Sequence, residues 1–222
     1  MSRILITGAS NGIGRALADR LKGHELVLAG RNPERLAEVS RDIPSARIIT
    51  PDFGDPASIA EHLGDIDALD GLVHVAGISD RALLPDATPE HWSHQLTVNL
   101  LSPVELTRLL LPALTQNRGT VVFVNSVVAL AGGGAGGASY VASKVALRSF
   151  ADQLRVEQPG IRVGSVYPGR TATEMQRELR AFEGLPYEAE AYASAESVAA
   201  AIETVLFAPA DVSLRDLTVM PR

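Results

Sequence analysis

The stretch Thr7-Gly8-Ala9-Ser10-Asn11-Gly12-Ile13-Gly14 follows the apolar run Ile4-Leu5-Ile6 and opens a helical pattern at Ile13, Ala16, Leu17 and Leu21. Glycine lets a chain turn sharply and lets its backbone approach an anion closely. A helix that starts at such a turn presents free N–H groups, the usual seat of a phosphate. The spacing differs from the G-x-G-x-x-G fingerprint, and tight packing of strand on helix would need the same glycines. The position after a first strand and before a first helix favours nucleotide binding, with Gly8, Ser10, Asn11, Gly12, Ile13 and Gly14 as the phosphate turn.

Outward from this turn, short apolar runs alternate with longer helical patterns. Strands are predicted at Ile4–Ile6, Leu26–Ala29, Ala46–Ile49, Leu69–Ala76, Thr120–Val124, Ile161–Val166 and Leu217–Met220. Helices are predicted at Ile13–Leu21, Pro33–Val39, Pro56–Leu63, Pro89–Leu114, Ala138–Val156 and around Ser197–Leu206. Thr88 suits the cap of the long helix, with Pro89 at its first position. The segment after Pro168-Gly169 reads as polar and irregular. Strands that are apolar throughout and separated by helices mean a parallel sheet covered on both faces. The expected fold is α/β: a Rossmann-type, doubly wound, seven-stranded parallel sheet forming one domain over residues 1–222. Its ligand should bind at the carboxyl ends of the strands.

The chain has 222 residues, 46% of them hydrophobic, which suits one domain with a sizeable core. The formal net charge of −6 argues against nucleic acid and anionic membrane as partners. Cysteine is absent, so disulfides and thiolate metal sites are excluded. His91 and His94 lie three apart on the long helix without a third ligand, so a solvated face is expected there and no metal. Met1-Ser2-Arg3 leads straight into a strand pattern, and no stretch reaches the roughly 18 apolar residues of a membrane span. The expectation is a cytoplasmic protein.

The second informative stretch is Tyr140-Val141-Ala142-Ser143-Lys144. Residues four apart share one face of a helix. An ammonium beside a phenol favours the phenolate, so Tyr140 is a candidate proton donor or acceptor near neutral pH. With a dinucleotide at the glycine turn, the partner event is hydride transfer. The end of the second strand bears on which dinucleotide. A carboxylate there would bond the adenosine ribose. The chain instead reads Ala29-Gly30-Arg31-Asn32, and Arg31 can pair with a 2′-phosphate or simply point into solvent. This favours NADP(H) over NAD(H). Asp52 and Phe53, after the third strand, are candidates for the edge of the adenine, with a turn-forming Asp as the alternative.

Taken in order, these motifs resemble the short-chain dehydrogenase/reductase family in its compact one-domain form. The resemblance rests on T-G-x-x-x-G-x-G at Thr7–Gly14, the Ala76-Gly77 pair, an asparagine in the long helix, a serine after the fifth strand, Y-x-x-x-K, and P-G after the sixth strand. It implies a catalytic tetrad of Asn99, Ser126, Tyr140 and Lys144. Tyr140 would exchange a proton with the substrate oxygen, and Ser126 would hydrogen-bond that oxygen. Lys144 would lower the phenol pKa and hold the nicotinamide ribose. Asn99 would hold a water linking Lys144 to solvent. Ala76, Gly77, Tyr140, Lys144, Pro168, Gly169, Thr171 and Thr173 would complete the cofactor site. The resemblance further implies a small carbonyl or alcohol substrate and a homodimer or homotetramer.

The chain departs from the family pattern in four places. The gap from Ser126 to Tyr140 is about one residue longer than the family pattern. His74 stands near the A-G pair, where structural hydrogen bonds are the expectation. Asn11 replaces the basic residue common before the second turn glycine. Only Pro221 and Arg222 follow the last strand, which counts against a tetramer and leaves a dimer through the long helices. Substrate choice falls to the glycine-rich stretch Gly132–Gly137, read as a mobile or open wall, and to a lid at about 173–194. Phe182 and Tyr187 are its candidate apolar contacts. The alternative to an NADP(H)-dependent oxidoreductase is an NADP(H)-binding sensor or interaction protein without turnover, a class that often loses the Tyr or Lys retained here.

Overall fold

A computed structural model describes residues 1–222. Seven strands form one sheet: β1 (Arg3–Thr7), β2 (Glu25–Ala29), β3 (Ala46–Ile49), β4 (Gly71–His74), β5 (Thr120–Val124), β6 (Arg162–Pro168) and β7 (Asp216–Val219). Their order is β3-β2-β1-β4-β5-β6-β7, and every neighbouring pair is parallel. The helices between them are α1 (Gly12–Arg20), α2 (Pro33–Ser40), α3 (Ile59–Leu63), α4 (Pro89–Leu96), α5 (Ser102–Gln116), α6 (Val128–Ala131), α7 (Ala138–Glu157), α8 (Glu174–Phe182) and α9 (Ala195–Leu206).

The apolar strands follow from burial on both faces. Successive strand side chains point to opposite sides. Ile4 and Ile6 of β1 enter one core with Leu17 of α1 and Ile202 of α9. Leu5 enters the other with Leu110 of α5 and Leu147 of α7. A parallel sheet with helices on both sides leaves no polar face for the strand sequence to record. No helix is long and apolar enough to cross a membrane.

Strand order reverses between β1 and β4, which opens a crevice at their carboxyl ends. Thr7, 1% exposed, spans it: its Oγ1 accepts from the Val75 and Ala76 amides at 3.0 Å each. Gly8 follows with φ +66°, and a Cβ there would lie 2.9 Å from the Ala76 Cα and N. The two crossing backbones therefore touch at a point where only glycine fits.

Three sequence expectations are corrected. The helix expected from Pro89 to Leu114 is broken by a π turn at Thr97–Leu101. Pro103 explains the break, because it has no N–H to return to the Asn99 carbonyl. The segment after Gly169 is not irregular: Thr173 caps α8 by accepting from the Gln176 amide. His91 is not on a solvated face, because its Nε2 lies 3.1 Å from Ser139 Oγ and ties α4 to α7.

The Thr7 bridge makes a prediction. Thr7→Val keeps the shape and removes the acceptor of two amides, so urea unfolding should show a loss of about 1–3 kcal/mol. Thr7→Ser should retain most of the stability. Equal stability of Thr7→Val and wild type would show that the bridge holds nothing.

Candidate active site

The cleft at the carboxyl ends of the strands encloses about 370 Å³. Ile13, Gly77, Ser126, Tyr140, Lys144, Pro168, Gly169, Thr171 and Thr173 all line it. Ser126 leaves the end of β5, and the short helix α6 with the loop after it takes up the long gap to Tyr140. Ser126 Oγ accepts from the Val128 amide at 3.4 Å and reaches the phenol, whose ionisation it eases.

Tyr140 and Lys144 sit one turn apart at the start of α7, both buried. Lys144 Nζ donates to the Val124 carbonyl at 3.1 Å and lies 5.8 Å from the Tyr140 ring centroid. The sequence reading had Lys144 lowering the phenol pKa. In the structure, burial raises it, opposed by the Ser126 hydroxyl and then by the Arg81 charge. Stripping water from a phenolate costs more here than the neighbouring charges return. Burial pushes Lys144 down to about 8.

Asn99 sits in the π turn with its side chain fully engaged. Its Oδ1 accepts from the Ile78 amide at 2.9 Å, and its Nδ2 donates to the Ile78 carbonyl at 2.9 Å and to Ser143 Oγ at 3.0 Å. Ser143 in turn donates to the Tyr140 carbonyl. Asn99 thus joins the chain after β4 to the helix that carries the tyrosine. The Asn99 main-chain carbonyl is left by Pro103 without its usual helical donor.

The phosphate turn fits a dinucleotide. A Cβ at Gly14 would lie 2.2 Å from the Gly8 carbonyl oxygen, so only glycine lets α1 start against the turn. The first amides of α1 have no helical acceptors and face outward from it. Asn11 caps α1 by position without a side-chain bond, and a Cβ at Gly12 would meet the Thr173 methyl at 3.3 Å. The end of β2 abuts the turn, with a Cβ position at Gly30 standing 3.7 Å from Ser10 Oγ. Arg31, next along, is exposed and belongs to none of the ion pairs in the chain.

Of the other expected residues, Asp52, Phe53, Ala76, Phe182 and Tyr187 are not on the cleft wall. Asp52 Oδ1 accepts from the Gly54 amide, which makes it a turn former, and the Phe53 side chain belongs to the core. Any contact of this pair with an adenine therefore uses the Asp52 oxygens or the Phe53 main chain. Ala76 is held through its amide by Thr7. Thr173 Oγ1 is engaged as the cap of α8, and Thr171 Oγ1 donates to the Gly169 carbonyl. Tyr187 stacks under Arg177, whose Cζ lies 4.2 Å from its ring centroid. Phe182 packs against Gly136, so the glycine loop is an open wall only at Gly132–Gly134.

His74 is structural, as its position suggested. Thr107 Oγ1 donates to the Pro103 carbonyl at 2.7 Å, so His74 Nε2, 2.9 Å away, donates to Thr107. Burial, then the Lys144 charge, pushes its pKa down to about 3, and the ring stacks on Phe123. Sequence reading missed Asn125, Arg81 and Gln176. Asn125 Nδ2 donates to the Lys144 carbonyl and its Oδ1 accepts from the Ser126 amide, which ties serine to lysine. Its place beside Ser126 was the available signal.

A parallel sheet with a glycine turn at its switch point and a Ser–Tyr–Lys cleft beside it defines a nucleotide-dependent oxidoreductase site. The family model described as short chain dehydrogenase matches residues 2–184, and the chain belongs to that family. It is 36% identical over 185 residues to the 3-oxoacyl-acyl-carrier-protein reductase FabG of Escherichia coli, covering 79% of this chain and 75% of that protein. It is 34% identical over 206 residues to bovine (Bos taurus) dehydrogenase/reductase SDR family member 7B, covering 83% of this chain and 62% of that longer protein. Among solved structures it superposes on a closed serine dehydrogenase with NADP+ at TM-score 0.88 and 29% identity, covering 99% and 94% of the two chains. An alcohol dehydrogenase from Thermococcus sibiricus with 5-hydroxy-NADP gives TM-score 0.86 at 25% identity, covering 100% and 97%. Membership makes the chain an NAD(P)-dependent oxidoreductase acting between CH–OH and C=O groups.

The buried lysine predicts a pH dependence. Unfolded, Lys144 keeps its proton up to the usual 10.5, whereas folded it releases it at about 8. Between those values the unfolded chain binds more protons, so stability rises with pH across that window. Urea unfolding should show wild type gaining up to roughly 3 kcal/mol on Lys144→Met between pH 8 and 10.5. A pH-independent difference would remove the buried-charge account.

Proposed function

We propose that the chain is an NADP(H)-dependent reductase of a small carbonyl compound, with the reverse alcohol oxidation open to the same site. The observation that carries this reading is the meeting of Ser126, Tyr140 and Lys144 in one cleft, with the phosphate turn at its edge. The bound nicotinamide supplies a hydride to the substrate carbon. Tyr140, kept protonated by burial, donates its proton to the carbonyl oxygen. Ser126 donates a hydrogen bond to the same oxygen, where negative charge develops. Lys144 restores the phenol proton, aided by a water at the Asn99 carbonyl, and holds the nicotinamide ribose.

The preference for NADP(H) rests on Arg31, exposed at the end of β2 beside the turn, where a 2′-phosphate has no carboxylate to oppose it. The neighbours solved with NADP+ and 5-hydroxy-NADP support the same choice. Residues 173–194, with α8 at their start, serve as the substrate lid. Assembly as a homodimer or homotetramer in the cytoplasm belongs to this reading, and exposed Val145 and Val156 on α7 support it.

Carbonyl-dependent oxidation of NADPH tests the chemistry. Tyr140→Phe should lower kcat by roughly 10²- to 10⁴-fold; an unchanged rate sinks the proton-donor role. Arg31→Ala should weaken NADPH binding in a titration far more than NADH binding. Equal losses would dismiss the 2′-phosphate contact.

A further inference from the structure

Two polar groups in the cleft have hydrogen-bond donors that nothing in the fold accepts. Arg81, on the chain leaving β4, places its guanidinium 5.5 Å from the Tyr140 ring centroid. It belongs to none of the ion pairs in the chain, and its Nε is buried without a hydrogen-bond partner. Gln176, 6% exposed on the first turn of α8, has its Nε2 buried and unpartnered as well. Both line the same cleft as Ser126 and Tyr140. Buried donors without acceptors are rare because each forfeits its hydration for nothing. Two of them facing one cleft imply an acceptor that arrives with the ligand.

The charge of the cleft points to what that acceptor is. Its lining includes three cations, Arg81, Lys144 and Arg170, against one anion, Glu183. Glu183 is already held by Arg170 at 2.6 Å and Arg180 at 2.8 Å. The lining cations outside any ion pair are therefore Arg81 and Lys144. Arg81 lies at the glycine-loop end of the cleft. The Ala82 amide donates to the Gly136 carbonyl, and a side chain at Gly137 would strike the guanidinium. Thr173, which meets Gly12 of the phosphate turn, is at the opposite end of α8 from Phe182, which meets Gly136. Arg81 is therefore placed for the substrate rather than for the phosphates, while Gln176, on the first turn of α8, lies toward the nucleotide side of the same cleft.

We propose that Arg81, assisted by Gln176, binds a carboxylate on the substrate, and that the enzyme reduces short oxo acids. This deepens the reductase reading and rests on it. A planar guanidinium fork matches a carboxylate. The Arg81 guanidinium, 5.5 Å from the Tyr140 ring centroid, puts the carboxylate in the same cleft as the reacting carbonyl and so favours a short acid. The carboxylate is a handle and stays unchanged: oxo acid, NADPH and one proton give hydroxy acid and NADP+. Tyr140 supplies the proton to the carbonyl oxygen.

Acetoacetate and methyl acetoacetate differ in that charge and share the carbonyl. Wild type should show the higher kcat/KM on the acid. Arg81→Gln should lower the acid-to-ester ratio roughly 10- to 100-fold, chiefly through KM. Arg81→Lys should keep part of the ratio, and Gln176→Leu should lower it less. A wild type indifferent to the charge, or an Arg81→Gln that loses acid and ester activity equally, overturns the proposal. Calorimetric titration with 3-hydroxybutyrate and its methyl ester in the presence of NADPH reads binding where no turnover can follow. Tighter binding of the acid that weakens tenfold or more in Arg81→Gln supports the anion site, and equal binding of acid and ester refutes it. If that preference holds while neither oxo compound is reduced, the reductase reading has failed and the anion site stands. If both are reduced alike and bound alike, the anion site has failed and the reductase stands.

Discussion

The Thr7 hydroxyl accepts from two amides of the chain leaving β4, and Gly8 lets the backbones cross in contact. Strand order reverses at this point, so neighbouring chains diverge and leave space above the sheet. The same short span sets the phosphate turn, the course of Ala76-Gly77, and the position of Ile78, which Asn99 then grips. Loss of the close crossing would separate the nucleotide half of the cleft from the half that carries Tyr140.

Polar side chains buried around the tyrosine complete the arrangement. Asn99, Ser143 and Asn125 spend their hydrogen bonds on main-chain groups of α7, Ile78 and Ser126 and on one another. Such bonds add modestly to stability but are costly to leave half made. They fix where the first turns of α7 stand, and they hold Lys144 in a buried place that disfavours its charge. The cleft is densely hydrogen-bonded around Tyr140 and has open glycine-walled space at Gly132–Gly134.

The sheet was legible because parallel strands buried on both faces leave continuous apolar runs, and the turn and Tyr140–Lys144 were legible because local spacing carries their geometry. The π turn was missed although Pro103 announced it, because apolar periodicity runs on through a one-residue insertion. The helix α8 was missed because its sequence is mostly charged and polar, which reads as loop until Thr173 is seen as a cap. The rise in the Tyr140 pKa was illegible, since a neighbouring lysine is visible in a sequence and the depth of burial is not. Arg81 and Gln176 are distant in sequence and come together only as lining of one cleft, so no spacing rule could join them.

The helix α8 spans about 13 Å at 1.5 Å per residue. At one end Thr173 meets Gly12, and at the other Phe182 fills the space over Gly136. The rod is clasped beyond its last turn by the Arg170–Glu183–Arg180 ion pairs. A side chain at Gly12 or at Gly136 would therefore press on the same short helix, one at each end.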